Sequence, residues 1–134
     1  MFYDFSFNIP KTATVNNPEV LVCPLCYGII HRITLYWWPG PHGLVHVTVN
    51  RALHQLLPTN PEESFHYDNY CHPMDERIPL LEPPYQVELK GWGDDCDYDH
   101  EIKVGIGILP PEAFPGYPPT RSRLDQIREW FGIK

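Results

Sequence analysis

Four cysteines are the first residues with chemistry to offer. Cys23 and Cys26 stand in "CPLC", the C-x-x-C spacing that presents two thiolates at once and makes half of a tetrahedral zinc site. Cys71 and Cys96 supply the other two thiolates, with His72 or His100 as substitutes. The competing reading is four free thiols, since unpaired cysteine is among the most buried of side chains. A second candidate is "DDCDYDHE". Asp95, Asp97 and Asp99 fall at alternate positions, as oxygen ligands do in a calcium loop. That loop's sharp-turn glycine and distal bidentate glutamate are not in the stretch, so a solvated turn between two strands competes with it.

Histidine is the third candidate. "HVT" at His46–Thr48 matches one half of a two-histidine phosphoesterase pair, and the chain holds no second such tripeptide. His42 and His46 are four apart, a metal spacing on a helix but not on a strand. His31 lies in an apolar strand and reads as a hydrogen-bonded core residue. No nucleophile elbow, P-loop or glycine-rich strand-to-helix turn is present. The chain is therefore read as a non-enzyme with no required cofactor, zinc being the one metal its cysteines invite.

The elements that must position these residues are strands. "FYDFSFNIP" alternates, with Phe5, Phe7 and Ile9 on one side and Pro10 as its stop. "VLVCPLCYG" is a broken edge strand. "GIIHRITLYWW" is β-branched and aromatic, with Ile29, His31, Ile33, Leu35 and Trp37 on one face. Trp37 and Trp38 then point to opposite faces, so a sugar-stacking platform can use only one of them. "PGPHG" turns the chain into "LVHVTVN", and the two strands are expected to form a hairpin. "ALHQLLP" is a further strand. Residues 59–79 read as irregular, with at most one short strand. "YQVELKGW" and "HEIKVGIGIL" alternate cleanly, the latter with Ile102, Val104, Ile106 and Ile108 inward. Short strands at this spacing predict an all-β, antiparallel sandwich or jelly roll over residues 1–109.

A different region begins at 110. Five prolines fall between Pro110 and Pro119, which predicts an extended arm. Leu124, Ile127, Trp130 and Phe131 then recur at helical spacing, with Thr120 or Ser122 as cap and Gly132 as stop. A helix of ~10 residues is marginal alone, so that apolar face is expected to bind a surface. The surface is its own body, a neighbouring copy or another protein.

Charge supports the division. The chain carries −7 overall. From Thr120 on, Arg121, Arg123, Arg128 and Lys134 outweigh Asp125 and Glu129 by +2, leaving −9 on the rest. An acidic body excludes general nucleic-acid binding, which needs surplus Lys and Arg. A basic arm suits an acidic partner. "MFYDFSFNIPK" lacks the basic start and apolar run of a signal peptide, and no apolar run approaches a membrane span, so a cytosolic site of synthesis is expected.

The run "GIIHRITLYWWPGPHGLVHVTV", followed by "LPTNPEESFHYD" and "LLEPPYQVELKGWGDDCDYDHEIKVGIGILP", resembles a group of small β-sandwich proteins of tailed phages and related mobile elements. The likeness spans residues 28–110 and is carried by "IHR", "PGPHGLV", "PTNP", "PPY" and "GILP". It implies a structural virion protein, in particular a capsid decoration (cement) protein. Such a protein is assembled in the host cytoplasm, sits on the capsid exterior, self-associates as a homotrimer and clamps the major capsid protein with terminal arms. "CPLC" is not part of that pattern. The alternative is a carbohydrate- or receptor-binding β-sandwich module on a virion or cell surface, using Trp and Tyr faces.

Overall fold

The computed structural model describes residues 1–114. Eight strands form in chain order: β1 Phe2–Ile9, β2 Glu19–Pro24, β3 Gly28–Trp37, β4 Val45–Arg51, β5 His54–Leu57, β6 Tyr70–Leu80, β7 Gln86–Gly93 and β8 His100–Leu109. A 3₁₀ turn, Pro111–Ala113, follows. The strands make two four-stranded sheets, ordered β1-β8-β3-β6 and β2-β7-β4-β5. The antiparallel pairs nest: β1 with β8, β2 with β7, β3 with β6, β4 with β5. That is the jelly roll, a long antiparallel ribbon rolled into two facing sheets. No helix among the described residues is long and apolar enough to cross a membrane.

The inward positions of both sheets meet in a single core. β1 supplies Phe7 and Ile9, β4 Val45, Val47 and Val49, β7 Val87 and Leu89, and β8 Ile102, Val104, Ile106 and Ile108. Each fully buried aliphatic side chain contributes about 1.5–3 kcal/mol. At the centre of β7 the inward residue is Gly91. A Cβ there would lie 2.5 Å from Ile9 Cδ1 and 2.9 Å from Phe7 Cε2 of the opposing sheet. Gly91→Val is therefore expected to destabilise by about 1–3 kcal/mol through overpacking. Chemical denaturation checks this, and an unchanged midpoint would contradict it.

Three expectations are corrected. The first concerns β3, whose inward row is Ile30, Ile33, Leu35 and Trp37. A bulge between Ile30 and Arg32 shifts the register, so Ile29 and His31 leave that row. His31 is half-buried on the outer side, its ring over Gly107, instead of in the core.

The second concerns the expected β3–β4 hairpin. The two strands lie in different sheets, and residues 38–44 carry the chain across. Gly40 and Gly43 take φ of +133° and +77° there, and His42 +52°. Residues 94–99 likewise cross between β7 and β8 instead of closing a hairpin. Proline and glycine set a reversal, but both strands bury the same row whichever sheet they enter.

The third is β6, an eleven-residue strand within the stretch read as irregular. Pro73 and Pro79 argue against a strand, yet β6 is the edge of its sheet and tolerates them.

Candidate functional site

Four connections, residues 10–18, 38–44, 58–69 and 94–99, gather at one end of the sandwich and lock together. The Gly93 amide donates to Ala13 O (3.2 Å) and the Asp94 amide to Leu44 O (2.8 Å). The Lys11 amide donates to Asp99 Oδ1 at 2.8 Å. Asp68 accepts from the amides of Gly40 (2.9 Å) and His42 (3.0 Å). Those two bonds, from His42 and Gly40, hold the Asp68 carboxyl below the usual carboxylate range.

His46 is the hub of this end. It projects from the outer face of β4 and is only 15 % exposed. Its Nδ1 is 2.7 Å from Ser64 Oγ and its Nε2 is 2.5 Å from Asp94 Oδ2. The ring lies parallel to Trp92 at 5.4 Å and tilted against His66 at 4.6 Å. With an ionised Asp94 as acceptor, a neutral imidazole carries its proton on Nε2. Nδ1 is then the acceptor for the Ser64 hydroxyl. A Ser–His–Asp chain results, with the two ring nitrogens exchanged relative to hydrolase triads. It can draw the proton of Ser64 toward the ring, and it ties β4 to two separate loops. "HVT" pointed to His46 but not to Ser64 or Asp94, which lie 18 and 48 residues away in sequence.

Beside this hub the outer face of the β2-β7-β4-β5 sheet carries an open cleft of about 440 Å³. Thr48, Asn50, Lys90 and Trp92 come from the central strands, and Gln55, Glu62 and Glu63 form one wall. Val15, Asn16 and Pro18 form the other. Gln55 Nε2 steadies its wall by donating to Pro58 O (2.9 Å) and Glu63 O (3.1 Å).

The four cysteines are free thiols, and the Cys23–Cys26 pair is separated from Cys71 and Cys96 by the length of the sandwich. Cys23 points into the core from β2, and burial pushes its thiol up to about 12. Cys26 follows β2 against Tyr3, and a hydrogen bond between the two side chains is the main cause of the raised Tyr3 hydroxyl. Cys71 is exposed on edge strand β6, paired with Tyr36. Cys96 sits in the 94–99 loop, its thiol raised chiefly by burial. "CPLC" is thus at the end of the sandwich opposite Cys71 and Cys96. His72 packs against Phe65 and Tyr67, its Nδ1 buried without a partner, and His100 lies beside Gly40.

Asp95, Asp97 and Asp99 share the exposed 94–99 loop, where Asp99 is taken up by the Lys11 amide. Among the described residues, no three His, Cys, Asp or Glu side chains converge as a metal ion requires. Trp37 is fully buried and Trp38 half-exposed, as alternation predicts. Leu124, Ile127, Trp130, Phe131, Arg121, Arg123 and Arg128 lie outside the described residues. No protein-family model matches the chain, and no curated protein matches it either.

Proposed function

We propose that this protein is a structural virion component, a capsid decoration protein that self-associates and seats on the major capsid shell from outside. The observation that carries the reading is a set of exposed apolar side chains on the two border strands, β1 and β2. β1 and β2 border the same side of the sandwich and touch there. Met1 and Phe2 are 71 % and 61 % exposed, Phe2 on the outer face of the β1-β8-β3-β6 sheet over Gly105, and Val20 and Val22 are 48 % exposed each on the outer face of the other sheet. Open strand edges bearing large apolar side chains are surfaces that another chain covers. The jelly roll agrees by analogy, being a common architecture of capsid and lectin domains. The sequence likeness over residues 28–110 points the same way. Covering a half-exposed valine returns about 1 kcal/mol, and many copies on one lattice multiply small gains.

Val20→Glu combined with Val22→Glu tests this. The wild-type chain is expected to show an oligomeric native mass, a trimer in this reading. The double variant should be a folded monomer whose melting temperature no longer depends on protein concentration. A separate Trp130→Ala/Phe131→Ala variant should keep the oligomer and lose attachment to capsid shells, measured by co-sedimentation. A wild-type chain that is monomeric at micromolar concentration and does not sediment with shells would overturn the reading.

A further inference from the structure

The cleft on the β2-β7-β4-β5 face is built like a ligand site. Its floor is polar where a sheet's outer face would ordinarily be wet. Thr48 and Asn50 occupy outward positions of β4, yet are only 4 % and 6 % exposed. Asn50 Nδ2 donates to Thr48 Oγ1 at 2.9 Å, which fixes both side chains. That bond uses one donor of the amide and one lone pair of the hydroxyl. The amide retains its second N–H and its carbonyl oxygen, and the threonine retains its O–H. A rigid group of donors and acceptors at the base of a cleft matches vicinal hydroxyls, each of which both gives and accepts a hydrogen bond.

Two further features narrow the ligand. Trp92 lines the cleft, and its indole is held flat by His46, the two rings only 2° from parallel. An immobilised aromatic surface beside polar groups suits a ring with apolar C–H faces and polar edges. The charge in the lining is one ammonium, Lys90, against the two carboxylates of Glu62 and Glu63. A net negative lining disfavours phosphates, sulfates and uronic acids and accepts a neutral ligand. A volume of about 440 Å³ lies within the range of small-molecule sites.

We propose that this cleft binds a neutral saccharide, one or two hexose units of a surface glycan, with Trp92 as stacking platform and Thr48, Asn50 and Lys90 as hydroxyl partners. This goes beyond the capsid reading and gives the carbohydrate-binding alternative a location. None of Asp95, Asp97 and Asp99 lines the cleft, so the candidate calcium loop takes no part in this site.

The test is a glycan array of neutral and acidic oligosaccharides with the full-length chain, followed by titration of the best neutral glycan. Wild type should bind neutral glycans in preference to acidic ones, with or without chelator. Trp92→Ala should weaken binding at least tenfold. Because Trp92 also packs against the core, a second variant on the exposed wall, Glu62→Ala with Glu63→Ala, should raise binding of acidic glycans several-fold and so erase the preference for neutral ones, at an unchanged melting temperature. Native mass should match wild type in both. Binding confined to acidic glycans, no binding, or binding that neither variant alters would overturn the site. Variants that lose their oligomeric mass together with glycan binding would assign the cleft to a subunit contact and overturn it equally.

Discussion

Trp37→Ala is expected to cost about 3–5 kcal/mol of unfolding free energy, a large share of the ~5–15 kcal/mol that holds a domain of this kind together. Trp37 ends β3 and is fully buried. Its Nε1 donates to Val45 O at 3.2 Å, the first residue of β4 in the other sheet. Its ring meets Tyr67 edge-on at 5.2 Å. One side chain therefore fills the core, bolts the two sheets at their crossover and supports the loop that carries Ser64. Trp37→Phe separates these roles. It keeps an aromatic ring and leaves the Val45 carbonyl without its donor, a loss of about 1–3 kcal/mol. Denaturant unfolding of the full-length chain measures both. A loss below ~1.5 kcal/mol for Trp37→Ala would show that the crossover is held by other contacts.

Cys23 offers the second large effect. Its thiol is pushed up to about 12 by burial. At pH 8 its thiolate fraction is then on the order of 10⁻⁴, about a thousandfold below that of an ordinary thiol. A thiol reagent should modify exposed Cys71 readily and leave Cys23 untouched until the chain unfolds. The pKa also sets a stability term. Between about 9 and about 12 the native state holds a proton that the unfolded state has released. Stability should therefore fall as pH rises through that window, by up to about 1.4 kcal/mol per unit. Below about 9 the term is flat. Cys23→Ala should remove this slope while leaving other alkaline titrations in place. Identical slopes for the two chains above pH 9 would place Cys23 in contact with solvent.

What the sequence discloses is what depends on neighbours along the chain. Alternation in "FYDFSFNI", "YQVELKGW" and "HEIKVGIGIL" is local, and β1, β7 and β8 lie where it puts them. Partner choice is not local. Val45, Val47 and Val49 face inward equally well from either sheet, so "PGPHG" cannot say that the chain crosses over. A period-two count through Ile29 and His31 cannot register an inserted residue either, and the bulge gives the core place to Ile30. Prolines conceal β6 because their penalty depends on whether a strand is central or at an edge, and that follows from the complete sheet. The same limit governs the sites. "CPLC" is visible as a pair, while the distance to Cys71 and Cys96 is a property of the rolled ribbon. His46 stands out by its motif. Asp94 and Trp92 reach it because β4 and β7 are neighbours, with His46 opposite Trp92, and Ser64 because Phe65 bridges to Val47.

The nested pairing also fixes when the molecule can come into being. Tyr3 lies opposite Ile106 and Ile9 opposite His100, while the Met1 ammonium donates to Ile108 O at 2.7 Å. The first strand made must wait for the last. At ~5–20 residues per second, β1 spends roughly 5–20 s of synthesis with its partner still unmade. During that interval Phe5, Phe7 and Ile9 are available to chaperones or to other nascent chains. The sandwich then closes in a late step dominated by contacts remote in sequence, the regime in which folding takes milliseconds to seconds. A chain made this way completes its first sheet only after β8 has been synthesised, when β1 can pair along it.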